Sequence, residues 1–412
     1  MRGKKVGMYI MTRWSIPFAG FLLALMGGIA YAWGVFTVPI VDRFGWTTAE
    51  AALPFTVFMV IFALVMVPAG RLQDIMGPRK VAAMGALLFM PAYGLAALVG
   101  HIPYPWWLLV TYGVIGGVAC GMTYACIAPP ARKWFPDRPG LAISFGVMGF
   151  GLAAVPFAPL KAEYLIPAYG IEGTLLMLAI IIMAGCLFAA WLTRNPPDGW
   201  EPPGWERNRG AKQARALSES TPRDLIPSPM FWIIWLTFAL VIAGGLMCIP
   251  LIPAFGELVV ELTAGEAAGA LAIFAGLNGF GRPLAGFLSD RFGTVWVMIV
   301  TYVIQAMALL SFHAFAVTLP TLYISAALMG WGFAVTLALF PTLTAFCFGT
   351  KHLGVNYGIV FTAFGVGALA PAAGGAIYDA TGSFTPAFLS AGIMAVIGLV
   401  LCVVLKRKYS LA

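Results

Sequence analysis

The chain has 412 residues, 61% of them hydrophobic and 10% charged, with a formal net charge of +8. A soluble globular chain carries about 25% charged residues, so water-soluble architectures are excluded and a polytopic helical membrane protein is indicated. The positive excess lies between apolar runs, not on one folded face, which argues against nucleic acid as a partner and for the lipid bilayer.

The apolar runs are long, continuous and dense in Gly and Ala, unlike the short alternating segments of a transmembrane barrel. In chain order they predict twelve spans. The first six lie near 14–39, 52–71, 80–101, 106–131, 139–160 and 170–193. The basic stretch ahead of span 1 precedes an apolar run too long for a signal sequence, so an uncleaved first span is expected. Residues 194–229 interleave Pro196, Pro197, Pro202, Pro203, Pro222, Pro227 and Pro229 with charge, the composition of a linker. Six more spans follow near 230–255, 265–289, 293–315, 318–347, 353–378 and 384–405. The expectation is an all-α fold: an N-terminal six-helix bundle over 1–193, a cytoplasmic linker over 194–229 and a C-terminal six-helix bundle over 230–412.

Basic residues are retained on the cytoplasmic side. With both termini inside, the 24 Lys and Arg divide unequally: Arg43 and Lys161 fall outside, Arg282 falls within a span, and the remaining 21 are cytoplasmic. This predicts a multi-pass protein of a cell membrane with cytoplasmic termini; the absence of a glycosylation sequon is compatible with a bacterial inner membrane. The six cysteines all lie in apolar stretches without metal-ligand spacing and read as packing thiols.

The two sets of spans are related internally. Gly70-Arg71-Leu72-Gln73-Asp74 with Gly77 recurs as Gly286-Phe287-Leu288-Ser289-Asp290 with Gly293, an offset of 216 residues. The same offset relates Thr47-x-x-Glu50 to Thr263-x-x-Glu266, both read as capping boxes, and Gly149-x-Gly151 to Gly365-x-Gly367. Two homologous halves follow.

Arg282 breaks that symmetry, its counterpart being Met66, and is expected to be the only charge inside the twelve spans. Burying it costs at least ~2.5–3.5 kcal/mol, which is sustained where the group faces a cavity or a partner; snorkelling to the headgroups is the bland alternative. Its planar fork suits a carboxylate, and Asn278 lies one helical turn earlier on the same face. Gly279, Gly281 and Pro283 either bend the helix there or serve close packing. One cation is neutralised by a monoanion, whereas a buried dianion recruits a second cation, which the spans do not offer. No nucleophile-and-base pair or metal cluster lies inside the spans, so no enzyme and no cofactor are expected, although a receptor without transport remains open.

The loop Gly70-x-x-x-Asp74-x-x-Gly77-x-Arg79-Lys80 and its echo at Gly286 to Gly293 resemble the signature loops of the major facilitator superfamily. Trp134-Phe135-Pro136-Asp137-Arg138-Pro139-Gly140 and Asn278-x-x-x-Arg282-Pro283 are similar to the monocarboxylate porters and the related oxalate:formate antiporter within it. The resemblance implies a monomer whose two bundles rock around a central site, with Asp74 and Asp290 latching the cytoplasmic gate against Arg138 and Arg79. It implies Tyr31, Tyr124 and Phe361 as pocket aromatics, with Phe364 and Phe340 as weaker candidates. The chain departs from the family where the antiporter has a lysine in span 11, here Phe364, and where mammalian porters have a lysine in span 1, here absent from Ala30-Tyr31-Ala32-Trp33. The mammalian aspartate four residues before the arginine is here Asn278, which carries no exchangeable proton. Glu257 and Asp379, near the outer span ends, are the nearest acids for a coupled proton. The expected function is alternating-access transport of small monocarboxylates of the lactate and pyruvate kind, with proton symport first and anion exchange as the alternative. A drug antiporter is disfavoured, because span 5 lacks a Gly-Pro pair.

Overall fold

The computed structural model describes residues 2–197, 199–202 and 219–409. Ten helices among them are long and apolar enough to cross a bilayer. One of these, Pro139–Leu192, has 54 residues and turns at Gly170, whose φ of 68° breaks the helical path; it supplies spans 5 and 6. Thr294–Leu310, with 17 residues, is span 9, which completes twelve spans in two six-helix bundles. The first bundle comprises Arg13–Phe44, Ala49–Met76, Pro78–Gly100, Pro105–Trp134 and Pro139–Leu192. The second comprises Pro229–Leu258, Gly265–Phe292, Thr294–Leu310, Leu319–Phe348, Leu353–Thr381 and Thr385–Tyr409. Helix satisfies the backbone where no water can, and no strand occurs among the described residues.

Local chemistry sets the ends of these helices. Proline occupies the first turn at Pro78, Pro105, Pro139 and Pro229, where its missing N–H costs nothing. Both Thr-x-x-Glu boxes form: Thr47 Oγ1 accepts from the Glu50 amide at 3.2 Å while the Glu50 carboxylate accepts from the Thr47 amide at 2.8 Å. The Thr263 and Glu266 pair repeats this at 3.3 and 3.0 Å. Two boundaries differ from expectation. Helix begins already at Arg2. Span 5 does not end near residue 160 but continues through a π-turn, Leu160–Leu165, where the sequence predicts a loop.

The bundles meet most closely where span 2 crosses span 11 and span 5 crosses span 8. At the end bearing the termini, a β-carbon on Gly70 would collide with the Gly354 carbonyl, and one on Gly286 with the Gly140 carbonyl, so only glycine permits these crossings. Farther along, Gly358 sits on Met66 and Gly151 on Gly279. Of the predicted linker, residues 198 and 203–218 lie outside the described residues. Its far end holds a short helix, Pro222–Leu225, and docks on the second bundle: the Ser220 amide donates to the Phe348 carbonyl at 3.0 Å, and the Glu219 carboxylate accepts from the Thr350 and Lys351 amides. All six cysteines are buried and none forms a disulfide among the described residues, as their apolar settings predict.

Candidate functional site

Span 8 carries Arg282 to the seam between the bundles, fully buried at 0% exposure. Its Nε donates to the Asn278 carbonyl at 3.1 Å and to Asn278 Oδ1 at 3.3 Å, and Nη2 donates to the same Oδ1 at 2.9 Å. Nη1 donates across the seam to the Val147 carbonyl of span 5 at 2.6 Å. These acceptors occupy three of the five N–H groups, and the Tyr124 hydroxyl also lies close enough to interact with the guanidinium. The group reaches a neighbouring helix of the other bundle, not the headgroups. Gly279 packs against Leu152 and Gly281 against Trp331, and the helix Ala264–Phe292 runs unbroken through Pro283, so the glycines serve close packing.

The hydroxyls of Tyr124, Tyr31 and Tyr357 lie within electrostatic reach of the guanidinium. Those of Tyr31 and Tyr357 are buried and have no hydrogen-bond partner among the described residues. Leaving a buried hydroxyl unpaired costs about 1–3 kcal/mol, so two orphan groups facing one cation are a liability for the fold alone. Rings from five spans close around them. Phe150 meets Tyr31 at 4.9 Å and Tyr124 at 5.5 Å; Phe62 meets Tyr124 at 5.3 Å and Phe361 at 5.1 Å. Phe361 stacks on Phe364 at 5.0 Å and meets Tyr357 at 5.6 Å.

Arg282, Asn278, Tyr31, Tyr124, Phe361 and Phe364 thus converge. Phe340 does not join the ring: it stacks on Phe238 at 4.2 Å, and Phe238 in turn meets Phe361 at 5.9 Å, which puts Phe340 one layer behind. Glu257 and Asp379 are exposed near the ends of spans 7 and 11. Nineteen residues separate Glu257 from Phe238 and eighteen separate Asp379 from Phe361, roughly 27–28 Å of helix in each case, so neither acid is brought to the ring of aromatics around Arg282. Sequence reasoning missed Tyr357, Phe62 and Phe150. Tyr357 carried one available signal, a hydroxyl one turn before Phe361 on the same helical face.

Two expectations need correction. Arg282 is not the only charge within the spans: Lys161 is 1% exposed, because the π-turn prolongs span 5 and swings its ammonium inward to the Ala32 carbonyl at 2.5 Å. Lys161 stands 14 residues beyond Val147, ~21 Å along the helix, so the Arg282 chamber still holds one cation. The second correction concerns the gate. Asp290 accepts from the Gly140 and Leu141 amides at 2.8 and 2.9 Å, and Asp74 accepts from the Gly354 and Val355 amides at 3.2 and 3.1 Å. Each aspartate therefore holds the N-terminus of a helix in the opposite bundle, where unpaired amides and the helix dipole favour an anion. Arg138 is exposed, and Arg79 donates to the Trp191 and Thr193 carbonyls of its own bundle.

The chain matches the family described as Major Facilitator Superfamily over residues 18–284 and 251–411. It is 28% identical over 371 residues to the oxalate:formate antiporter of Oxalobacter formigenes, covering 88% of this chain and 83% of that one. It is 34% identical to apicoplast pyruvate carrier 1 of Toxoplasma gondii over 99 residues, 24% of this chain and 18% of the carrier. Its fold superposes on the Escherichia coli fucose:proton symporter with a TM-score of 0.70 at 17% identity, over 95% of this chain and 99% of the symporter. With twelve spans, two related bundles and a family match across nearly its whole length, this chain belongs to the major facilitator superfamily and is a membrane transporter, not an enzyme.

Proposed function

We propose that this transporter carries small monocarboxylates bearing a 2-oxo or 2-hydroxy group, of the pyruvate and lactate kind. One observation carries the reading: a fully buried arginine with no acid bonded to it among the described residues, facing two unpaired tyrosine hydroxyls inside a shell of rings. The two remaining N–H groups of Arg282 take the carboxylate in parallel. Asn278 holds the guanidinium in place, Tyr31, Tyr124 and Tyr357 meet the second polar group, and Phe62, Phe150, Phe361 and Phe364 enclose the short carbon chain. One cation matches one negative charge, and a dianion would leave a charge uncompensated in low dielectric. The bundles 1–193 and 230–412, joined by the linker 194–229, rock about this chamber as a functional monomer, with Asp74 and Asp290 latching one side. The distribution of basic residues supports a cytoplasmic assignment for that side, and the inner membrane of a bacterium is the proposed setting.

On coupling, the observations favour exchange of two monoanions over proton symport. Asn278 occupies the contact where an acid would carry the proton, and Glu257 and Asp379 are exposed. A carrier with no proton site reorients most readily when loaded in both directions, because returning a bare +1 chamber across 100 mV involves ~2.3 kcal/mol. The similarity to an oxalate:formate antiporter supports the same coupling. The test is uptake of labelled lactate, pyruvate, formate and oxalate into proteoliposomes. Exchange requires uptake that depends on internal monocarboxylate. Proton-driven uptake into anion-free vesicles overturns exchange, and preference for oxalate overturns the monoanion reading.

A further inference from the structure

Lys161 inverts the pattern of the helix around it. Leu160 and Tyr164 are 37% and 64% exposed and the neighbouring Glu163 is exposed as well, whereas Lys161 is 1% exposed. Its ammonium donates to the Ala32 carbonyl of span 1 and lies 5.0 Å from the centre of the Phe36 ring. Among the described residues neither ion pair of the protein involves it: these are Arg13 with Asp137 and Arg43 with Glu172. A buried cation without a counter-ion is expensive, and an apolar side chain of similar length would serve packing better. The position therefore asks for a role beyond stability.

The backbone it touches supplies one. Span 1 is interrupted by a four-residue 3₁₀ turn, Ile29–Ala32, between the α-helical stretches Arg2–Gly28 and Gly34–Phe44. Such turns have poorer hydrogen-bond geometry than the α-helix and hold their shape less well on their own. Tyr31 sits in this turn beside the tethered Ala32, and its hydroxyl is one of the two orphans facing Arg282. On the side of span 5, a π-turn brings Lys161 within reach. Two irregular turns in two helices meet at a single hydrogen bond.

We propose that Lys161 is a positioning residue: by tethering the Ala32 carbonyl it fixes the 3₁₀ turn so that Tyr31 presents its hydroxyl to the 2-substituent of a carboxylate held by Arg282. The inference rests on the monocarboxylate reading of the chamber. It assigns Lys161 to discrimination between substrates and leaves the binding of the carboxylate to Arg282.

The experiment compares lactate with acetate, which lacks the 2-hydroxyl, in proteoliposomes loaded with acetate. Tyr31→Phe and Lys161→Met are each expected to raise the lactate KM about tenfold, the worth of one lost hydrogen bond, with the acetate KM unchanged. Because Lys161 acts through Tyr31, the double variant is expected to lose no more than Tyr31→Phe alone, and Lys161→Arg, which keeps a donor, is expected to restore lactate preference. Equal losses for both substrates, or a double variant whose loss is the product of the single losses, overturn the inference. If Lys161→Met does not fold, Lys161→Gln shortens the side chain and withdraws its donor from the Ala32 carbonyl: a lactate-specific rise in KM supports the tether and an unchanged ratio overturns it. Wild-type protein that takes up neither anion removes the reading of the chamber and this inference with it. Normal wild-type uptake of both with unshifted Lys161 variants removes the inference alone.

Discussion

Arg282 is held by acceptors that carry no charge, the Asn278 amide and the carbonyls of Asn278 and Val147, and under the proposed function its own charge is left for a ligand. Lysine there would keep the charge and lose the fork, and we expect Arg282→Lys to reduce uptake at least about a hundredfold while the purified protein stays monodisperse and folded. Near-normal uptake by that variant would remove the recognition role of Arg282. Asn278→Asp makes the opposite change by supplying an internal carboxylate at 2.9 Å from Nη2. Deprotonated, that group competes with the substrate, so uptake falls at neutral pH; protonation at lower pH removes the competing charge, so uptake recovers. The variant is then expected to respond to an inward proton gradient to which the wild type is indifferent, as measured with labelled lactate at matched anion loads. The Arg282 and Asn278 pair is legible in the sequence, because one charge in an apolar run stands out and i, i+4 spacing fixes the shared face. Which rings join them is not. With 14% aromatic residues, nothing local distinguishes Phe62 and Phe150, which face the chamber from spans 2 and 5, from rings that face lipid.

At the scale of the helix, the interruptions matter as much as the regular stretches. Capping boxes and the Gly70 and Gly286 repeats are local signals, and each reappears in the fold where the spacing predicts it. The π-turn Leu160–Leu165 was not legible: Lys161 and Glu163 in a short polar stretch read as a loop, and only packing against span 1 draws the lysine inward. The glycine crossings yield a sharp expectation. A valine at Gly286 meets the Gly140 carbonyl and Ser144 only while spans 5 and 8 are pressed together. Overpacking of this kind costs about 1–3 kcal/mol, and here the closed state alone bears it. Gly286→Val is therefore expected to slow turnover roughly tenfold or more by opposing closure. Thermal unfolding close to that of wild type would accompany it. Substitution of Gly375, with open space around it, is expected to do neither.

At the scale of the whole molecule, the 216-residue repeat becomes a reciprocal clamp. Asp74 of the first bundle holds the start of span 11, and Asp290 of the second holds the start of span 5. The sequence identifies both aspartates by their repetition, but their partners are backbone amides, which leave no signature in side-chain identity; hence the mistaken assignment to Arg138 and Arg79. Under the proposed gating role two equivalent clamps close one face, so releasing either is expected to loosen it and releasing both to loosen it further. Ser144, fully buried against Gly286 with its hydroxyl unpaired, is a natural reporter of that seam. In an otherwise cysteine-free protein carrying Ser144→Cys, maleimide labelling is expected to be slow. Asp290→Ala removes two charge-assisted hydrogen bonds and is expected to accelerate labelling at least about tenfold. Asp74→Ala acts on the other seam and reaches Ser144 only through rigid-body separation of the bundles. If the bundles move as units, Asp74→Ala accelerates labelling at Ser144 as well, and the double variant exceeds either single one. If only Asp290→Ala has an effect, the two seams open independently and rocking of whole bundles is not the motion that this clamp controls.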